Sequence, residues 1–187
     1  MPIAMGLGVI GGPEVIHKRK FRWTFAVDRN GAGSPVPASF VKLAARPNLT
    51  IEETEINYLN GKVFIPGKGT WETITVTYYD VSTGGEDNIG LWSWLADVYD
   101  FTEPEGLKQN SKRRCYTGTG TCKLYDGCGN SLETWKLNDC WPQAVNFGEL
   151  DYSSSEEVTI EVTVRYASVK YTNDCGGQPT TYCCSCK

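Results

Sequence analysis

A single histidine, His17, stands in 187 residues, inside a basic run His17-Lys18-Arg19-Lys20. That scarcity removes the commonest general base, and a lone imidazole beside three cations reads as a solvated group. No nucleophile elbow, phosphate-binding glycine loop or His-Glu metalloprotease motif occurs. No apolar run is long enough to span a bilayer, so no stable membrane association is expected. The start, MPIAMGLGVIGGPEVIHKRK, is apolar but has no basic opening and is broken by Gly and Pro, so a soluble protein made without export is expected. Asn48-Leu49-Thr50 is then a chance sequon. A net charge of −4 and a pI near 5.1 give no basis for general affinity to a nucleic acid backbone.

The residues that remain for chemistry do not converge. Gly118-x-Gly120 is a fragment in a Thr-rich loop. Glu52-Glu53 and Glu156-Glu157 are adjacent pairs, and neighbours on a strand point to opposite faces, so neither pair can flank one glycosidic bond. No catalytic residue, cofactor site or metal site is assigned, and no enzyme activity is expected.

What the chain does have is strand periodicity. From Val158 to Tyr166 it alternates without a fault: Val158, Ile160, Val162, Val164 and Tyr166 on one face, Thr159, Glu161, Thr163 and Arg165 on the other. Ser153-Ser154-Ser155 supplies a turn before it. Phe21, Trp23, Phe25 and Val27 predict a first strand with an aromatic inner face, followed by a turn-rich loop, Asp28–Pro35, and a short strand over Phe40–Ala45. Leu49–Tyr58 is extended but polar. Asn60-Gly61 is a hairpin turn from which Lys62–Ile65 pairs back, and Pro66–Gly69 reads as a break. Trp71–Tyr79 sets Ile74, Val76 and Tyr78 against a face of Thr73, Thr75 and Thr77. Thr121–Asp126 and Leu132–Leu137 flank the turn Gly127–Asn130, and Trp141-Pro142 closes that unit. One helix is predicted over Asn88–Asp100, with Leu91, Trp94, Leu95 and Val98 on one stripe and Asp87 or Asn88 as its cap. The fold class is mostly β, with about seven or eight strands and one flanking α-helix.

All eight cysteines lie late in the chain: Cys115, Cys122, Cys128, Cys140, Cys175, Cys183, Cys184 and Cys186. Spacings wider than C-x2-C argue against structural zinc. Reduced thiols and disulfides, some between subunits, both stay open. The tryptophans divide into core residues, Trp23 and Trp94, and supports of a hairpin and its turn, Trp135 and Trp141. A β-sandwich carbohydrate-binding module using exposed Trp is the alternative from another class.

Read together, RPNLTIEETEINYLNGKVFIPGKGTWETITVTYYD, the helix GLWSWLADVYDF and ETWKLNDCWPQAVNFGELDYSSSEEVTIEVTVRY resemble the tail tube protein family of contractile-tailed bacteriophages. The resemblance runs from about Lys18 to Tyr171. Its most distinctive elements are W-K-L-x-x-x-W-P at Trp135–Pro142 and LDYS at Leu150–Ser153. It implies a β-sandwich or barrel-like tail tube fold, kin to type VI secretion tube proteins, whose subunits close an inter-subunit β-barrel in a ring. It also implies homo-hexameric rings stacked into a hollow tube inside a sheath, in a virion tail assembled in the host bacterial cytoplasm. The implied partners are the tail sheath protein, baseplate and tail terminator proteins, and tape measure protein and DNA in the lumen without specific binding. A headless contractile injection particle is the alternative setting.

The expected organisation is an N-terminal arm (1–17), a tail tube domain (18–171) and a Cys-rich tail (172–187). Polar and acidic walls suit a conduit that must not hold DNA. Glu52, Glu53, Glu55, Lys62, Lys68, Glu161 and Arg165 are the candidate inter-subunit, inter-ring or lumen residues. A hairpin of Leu49–Tyr58 with Trp71–Tyr79 is the expected contact element. The cysteines lie outside what the resemblance requires; cross-links are expected to form after lysis exposes particles to an oxidising medium.

Overall fold

The computed structural model describes residues 17–29, 36, 38–82, 89–101 and 112–174. The arm before residue 17, most of the Asp28–Pro35 loop, the helix cap at Asp87 or Asn88, and Cys175, Cys183, Cys184 and Cys186 lie outside the described residues.

The described residues form nine strands: β1 (Trp23–Arg29), β2 (Val41–Ala44), β3 (Leu49–Tyr58), β4 (Gly61–Trp71), β5 (Ile74–Tyr79), β6 (Gly118–Tyr125), β7 (Ser131–Asn146), β8 (Thr159–Arg165) and β9 (Ser168–Asn173). Two helices accompany them, α1 (Ile89–Val98) and the single turn α2 (Arg113–Tyr116). Seven strands make one antiparallel sheet in the order β1-β6-β7-β8-β5-β2, with β9 also on β7. β3 and β4 pair only with each other.

The spine is β7. Its first half pairs with β6 and β9, and its second half with β8. β8 and β9 follow one another along a single edge of β7: Arg165 lies opposite Trp141 and Ser168 opposite Asn138. The regular stretch read from the sequence is thus a long run interrupted only at Tyr166-Ala167. β7 bends near the same place. Asp139 takes a left-handed backbone, φ 54°, and the pairing slips between Pro142 and Ala144. Such irregularities let one strand turn a corner and serve two layers.

Alternation built the core as expected, except that Val158 lies before β8 and is exposed. Ile74, Val76 and Tyr78 of β5, and Ile160, Val162 and Val164 of β8 are buried, as are Phe25 and Val27 of β1. Strands from both ends of the sheet share this one cluster, so the sheet wraps round it while staying open. Each such side chain contributes roughly 1.5–3 kcal/mol by leaving water. Helix α1 closes the core with Leu91, Trp94 and Leu95, and the Trp94 indole N–H donates to the Tyr116 carbonyl at 2.9 Å. Buried Arg29 pairs with Asp97 and donates to Ser93 Oγ at 2.8 Å, tying α1 to β1.

Several boundaries differ from the sequence reading. Trp141-Pro142 does not end a hairpin, because β7 runs on to Asn146. Proline lacks the ladder donor and is tolerated at the bulge it occupies. Pro66–Gly69 is likewise not a break. β4 continues through it with a register shift opposite Ile51–Glu53, and a Cβ on Gly67 would lie 3.1 Å from the Glu52 carbonyl. Trp71 therefore belongs to β4, and the expected hairpin with Trp71–Tyr79 is replaced by one between β3 and β4. Phe21 is exposed, before β1 begins, and Phe40 lies in a 3-10 turn.

Candidate assembly surface

The β3–β4 hairpin stands apart from the sheet with every residue of β3 exposed. A two-stranded ribbon is marginal in water unless its face is covered. Apart from Trp71 at its base, which packs against Tyr166 and the core, this ribbon also carries apolar side chains that no described residue buries. On one face Ile56 lies opposite Val63 and Thr54 opposite Ile65, with Tyr58 toward the tip; Ile56, Val63 and Ile65 are each about half exposed and Tyr58 is 70% exposed. On the other face Leu49 lies opposite Trp71 at the base, and Glu55 lies opposite Phe64 further out. Lys62 bridges to Glu55 at 2.7 Å on that face. Contiguous exposed apolar surface of this kind marks an interaction site.

The expected site residues fall into two groups. Glu52, Glu53, Glu55, Lys62 and Lys68 all lie on this hairpin, brought together by the β3–β4 pairing. Glu161 and Arg165 lie elsewhere, on the outer face of β8, beside Thr163 and across from Thr75 and Thr77 of β5. Both edges of β8 are already filled by β5 and β7, so only that polar face, and not the strand's edge, is open to a partner.

Buried charged groups were missed from sequence, Arg29 among them, and Glu133 has the most partners. Glu133 is buried in β7 and accepts hydrogen bonds from Lys18, from Arg46 at 3.3 Å and from the Trp135 indole at 3.3 Å. Burial by itself would raise its pKa. The bonds from Lys18 and Trp135, with the charges of Lys18 and Arg46, outweigh that and hold it below the ordinary value. The signal was there in the period of two, which puts Glu133 on the side of Trp135 and Leu137. A carboxylate placed among apolar neighbours needs cations.

The described cysteines occupy different settings. Cys115, Cys122 and Cys140 are free thiols, the last two buried in the core; Cys128 is not one of the three and sits in the β6–β7 turn. There Asp126 accepts from the amides of Cys128 at 2.7 Å and Asn130 at 2.9 Å. Among the described residues no group of three or more His, Cys, Asp or Glu could hold a metal ion, and no helix is long and apolar enough to cross a membrane.

No protein-family model matches the chain, and no curated protein matches it. Solved structures do. A chain from the anti-feeding prophage (AFP) baseplate aligns with a TM-score of 0.65 at 11% identity, covering 85% of this chain and 97% of that one. One from the AFP tube-terminating cap gives 0.64 at 14%, covering 85% and 93%. One from the sheath–tube complex of PVC, an extracellular contractile injection system, in its extended state gives 0.63 at 16%, covering 91% and 99%. At these identities the likeness is one of fold. The protein has the mostly β tail tube fold found in these contractile injection systems.

Proposed function

We propose that the protein is the structural subunit of the tube of a contractile tail or injection particle, stacking as hexameric rings within a sheath. The observation that carries the reading is the exposed β3–β4 hairpin, an element with no reason to be stable alone, on a fold shared with chains of sheath–tube, cap and baseplate complexes. Covering the ribbon with a neighbouring subunit removes its apolar face and its open strand edges from water at once. The polar β5–β8 face, with Thr75, Thr77, Glu161 and Thr163, offers a wall that neither grips nor repels strongly, suited to a lumen or a ring contact. The partners follow from that role: a sheath protein, a terminator, a baseplate, and a passing cargo. For a phage tail that cargo is DNA, behind a tape measure protein; for a headless particle it is an injected protein.

Disulfides belong to this proposal too. Cys140 is sealed in the core, and Cys122 is buried at the bottom of a groove beside Arg46, so neither presents its thiol at the surface. Cross-linking between subunits falls to half-buried Cys115 and to cysteines beyond Asp174, formed when particles meet an oxidising medium.

Negative-stain microscopy of the purified full-length chain tests the reading. Rings or tubes of regular width are expected. A stable monomer that retains glycans on a sugar array would overturn it in favour of a carbohydrate-binding module.

A further inference from the structure

The basic run that begins the described chain has a place in the fold. Lys18, Arg19 and Lys20 pass beside Arg46, and the four cations rim an open groove of about 370 Å³ floored by Trp23, Leu43 and Leu124. Glu133 engages Lys18 and Arg46 from below. Arg19 and Lys20 remain exposed, so the rim keeps an excess of positive charge over an apolar floor.

The hairpin carries the complementary pattern. Phe64 sits opposite Glu55, and Glu53 follows two residues away on the same face, opposite Pro66. An exposed aromatic ring is thus flanked by two carboxylates. We propose that the groove receives this Glu53–Glu55–Phe64 face from a second copy of the chain, with Phe64 on the apolar floor and the carboxylates at Arg19 and Lys20. The inference rests on the assembly reading above and names the surface that receives the hairpin.

Three arguments support the pairing. The first is size and chemistry: a groove of this volume accommodates a large aromatic side chain, and buried aromatic anchors ringed by polar contacts dominate interfaces. The second is reach. Phe64 lies seven residues along β4 from Trp71, roughly 20 Å out at the rise of a strand, whereas Arg46 lies just before the hairpin's base. A straight ribbon cannot fold back onto its own base, so the occupant comes from another molecule. The third is competition. Glu55 holds Lys62 in the free subunit, but that pair is exposed and worth little, so the groove's cations can displace it. Donor and acceptor are different surfaces, which makes the contact head-to-tail and able to repeat from subunit to subunit.

A charge-swap experiment on the full chain tests this. Glu53→Lys with Glu55→Lys makes one variant, Arg19→Glu with Lys20→Glu a second, and all four together a third. All these positions are exposed, so each variant should keep the wild-type circular dichroism spectrum and melting temperature. Analytical ultracentrifugation and negative stain read assembly. Either two-residue variant should raise the concentration needed for assembly by about tenfold or more, and the fourfold swap should recover most of that loss. Normal assembly by the two-residue variants, or no recovery in the fourfold swap, overturns the docking while leaving wild-type tubes and the tube reading intact. Swap-sensitive, rescuable oligomers that are not tubes overturn the tube reading and keep the docking. A wild type that stays monomeric at every concentration overturns both.

Discussion

The amide of Ala167 donates to the carbonyl of Asn138 at 3.0 Å, fixing the break between β8 and β9 against the bend in β7. Two irregularities on neighbouring strands are thereby held in step. The sheet turns there because Asp139, next in the chain, adopts a conformation most side chains resist.

That corner can be tested by size and branching. Asp139→Gly should stay within about 1 kcal/mol of wild type, whereas Asp139→Val should cost roughly 2 kcal/mol from left-handed strain. The exposed Arg113–Asp139 pair is lost in both and so does not separate them. Urea midpoints of the two variants decide; equal midpoints would show the corner unstrained.

Glu133 makes stability depend on acid. Its folded pKa lies below the unfolded value, so its contribution is present in full above the ordinary glutamate range and is lost as pH falls through the folded value. Unfolding midpoints should therefore drop below about pH 4. Glu133→Gln should be less stable by roughly 1–3 kcal/mol at neutral pH and should flatten that part of the acid dependence. A variant retaining the wild-type slope would assign it to other carboxylates.

Folding and assembly should separate along β8. Val162 is fully buried, and Val162→Ala should cost roughly 2 kcal/mol of stability. Glu161→Lys and Arg165→Glu change only the outer face and should leave the melting temperature within about 2 °C. If that face is an interface, they reduce tube yield in particle preparations. Normal tubes after both reversals would free the face of that role.

The thiols should react in order of access. Burial pushes Cys122 up to about 11 and Cys140 up to about 12; Cys140 cannot meet a reagent without unfolding, whereas Cys122 lines the groove beside Arg46 and should react slowly. Maleimide on the native reduced protein should modify half-buried Cys115 first, Cys122 more slowly through the groove, and leave Cys140 untouched until denaturant is added. Peptide mapping that finds Cys140 labelled early would reveal local opening of the core.

Much of this fold was legible because alternation is a local signal. Ile74–Tyr78 and Ile160–Val164 announce their buried face residue by residue, and Leu91, Trp94 and Leu95 do so at helical spacing. Two of the failures involve a strand passing through residues that ordinarily stop one. Pro142 and Pro66–Gly69 look like terminators because the bulges that accommodate them depend on the partner strand, which lies far away in sequence. The hairpin residues Glu52 to Lys68 were found as candidates, but their isolation from the sheet was not, since pairing partners are a long-range fact. The groove beside Arg46 was invisible for the same reason: Lys18–Lys20, Leu43 and Leu124 meet only through the sheet's wrapping.

The segregation of the β3–β4 hairpin has a consequence for how such subunits diverge. The ladder of the main sheet is complete without Leu49–Thr70, and of the hairpin only Trp71, at its base, packs against the core. Substitutions there escape the packing constraint that governs Val76 or Val162 and answer to the partner surface instead. Compatibility between two related subunits is then a property of one portable segment. Grafting it between scaffolds would carry over the choice of neighbour while each scaffold kept its own interior.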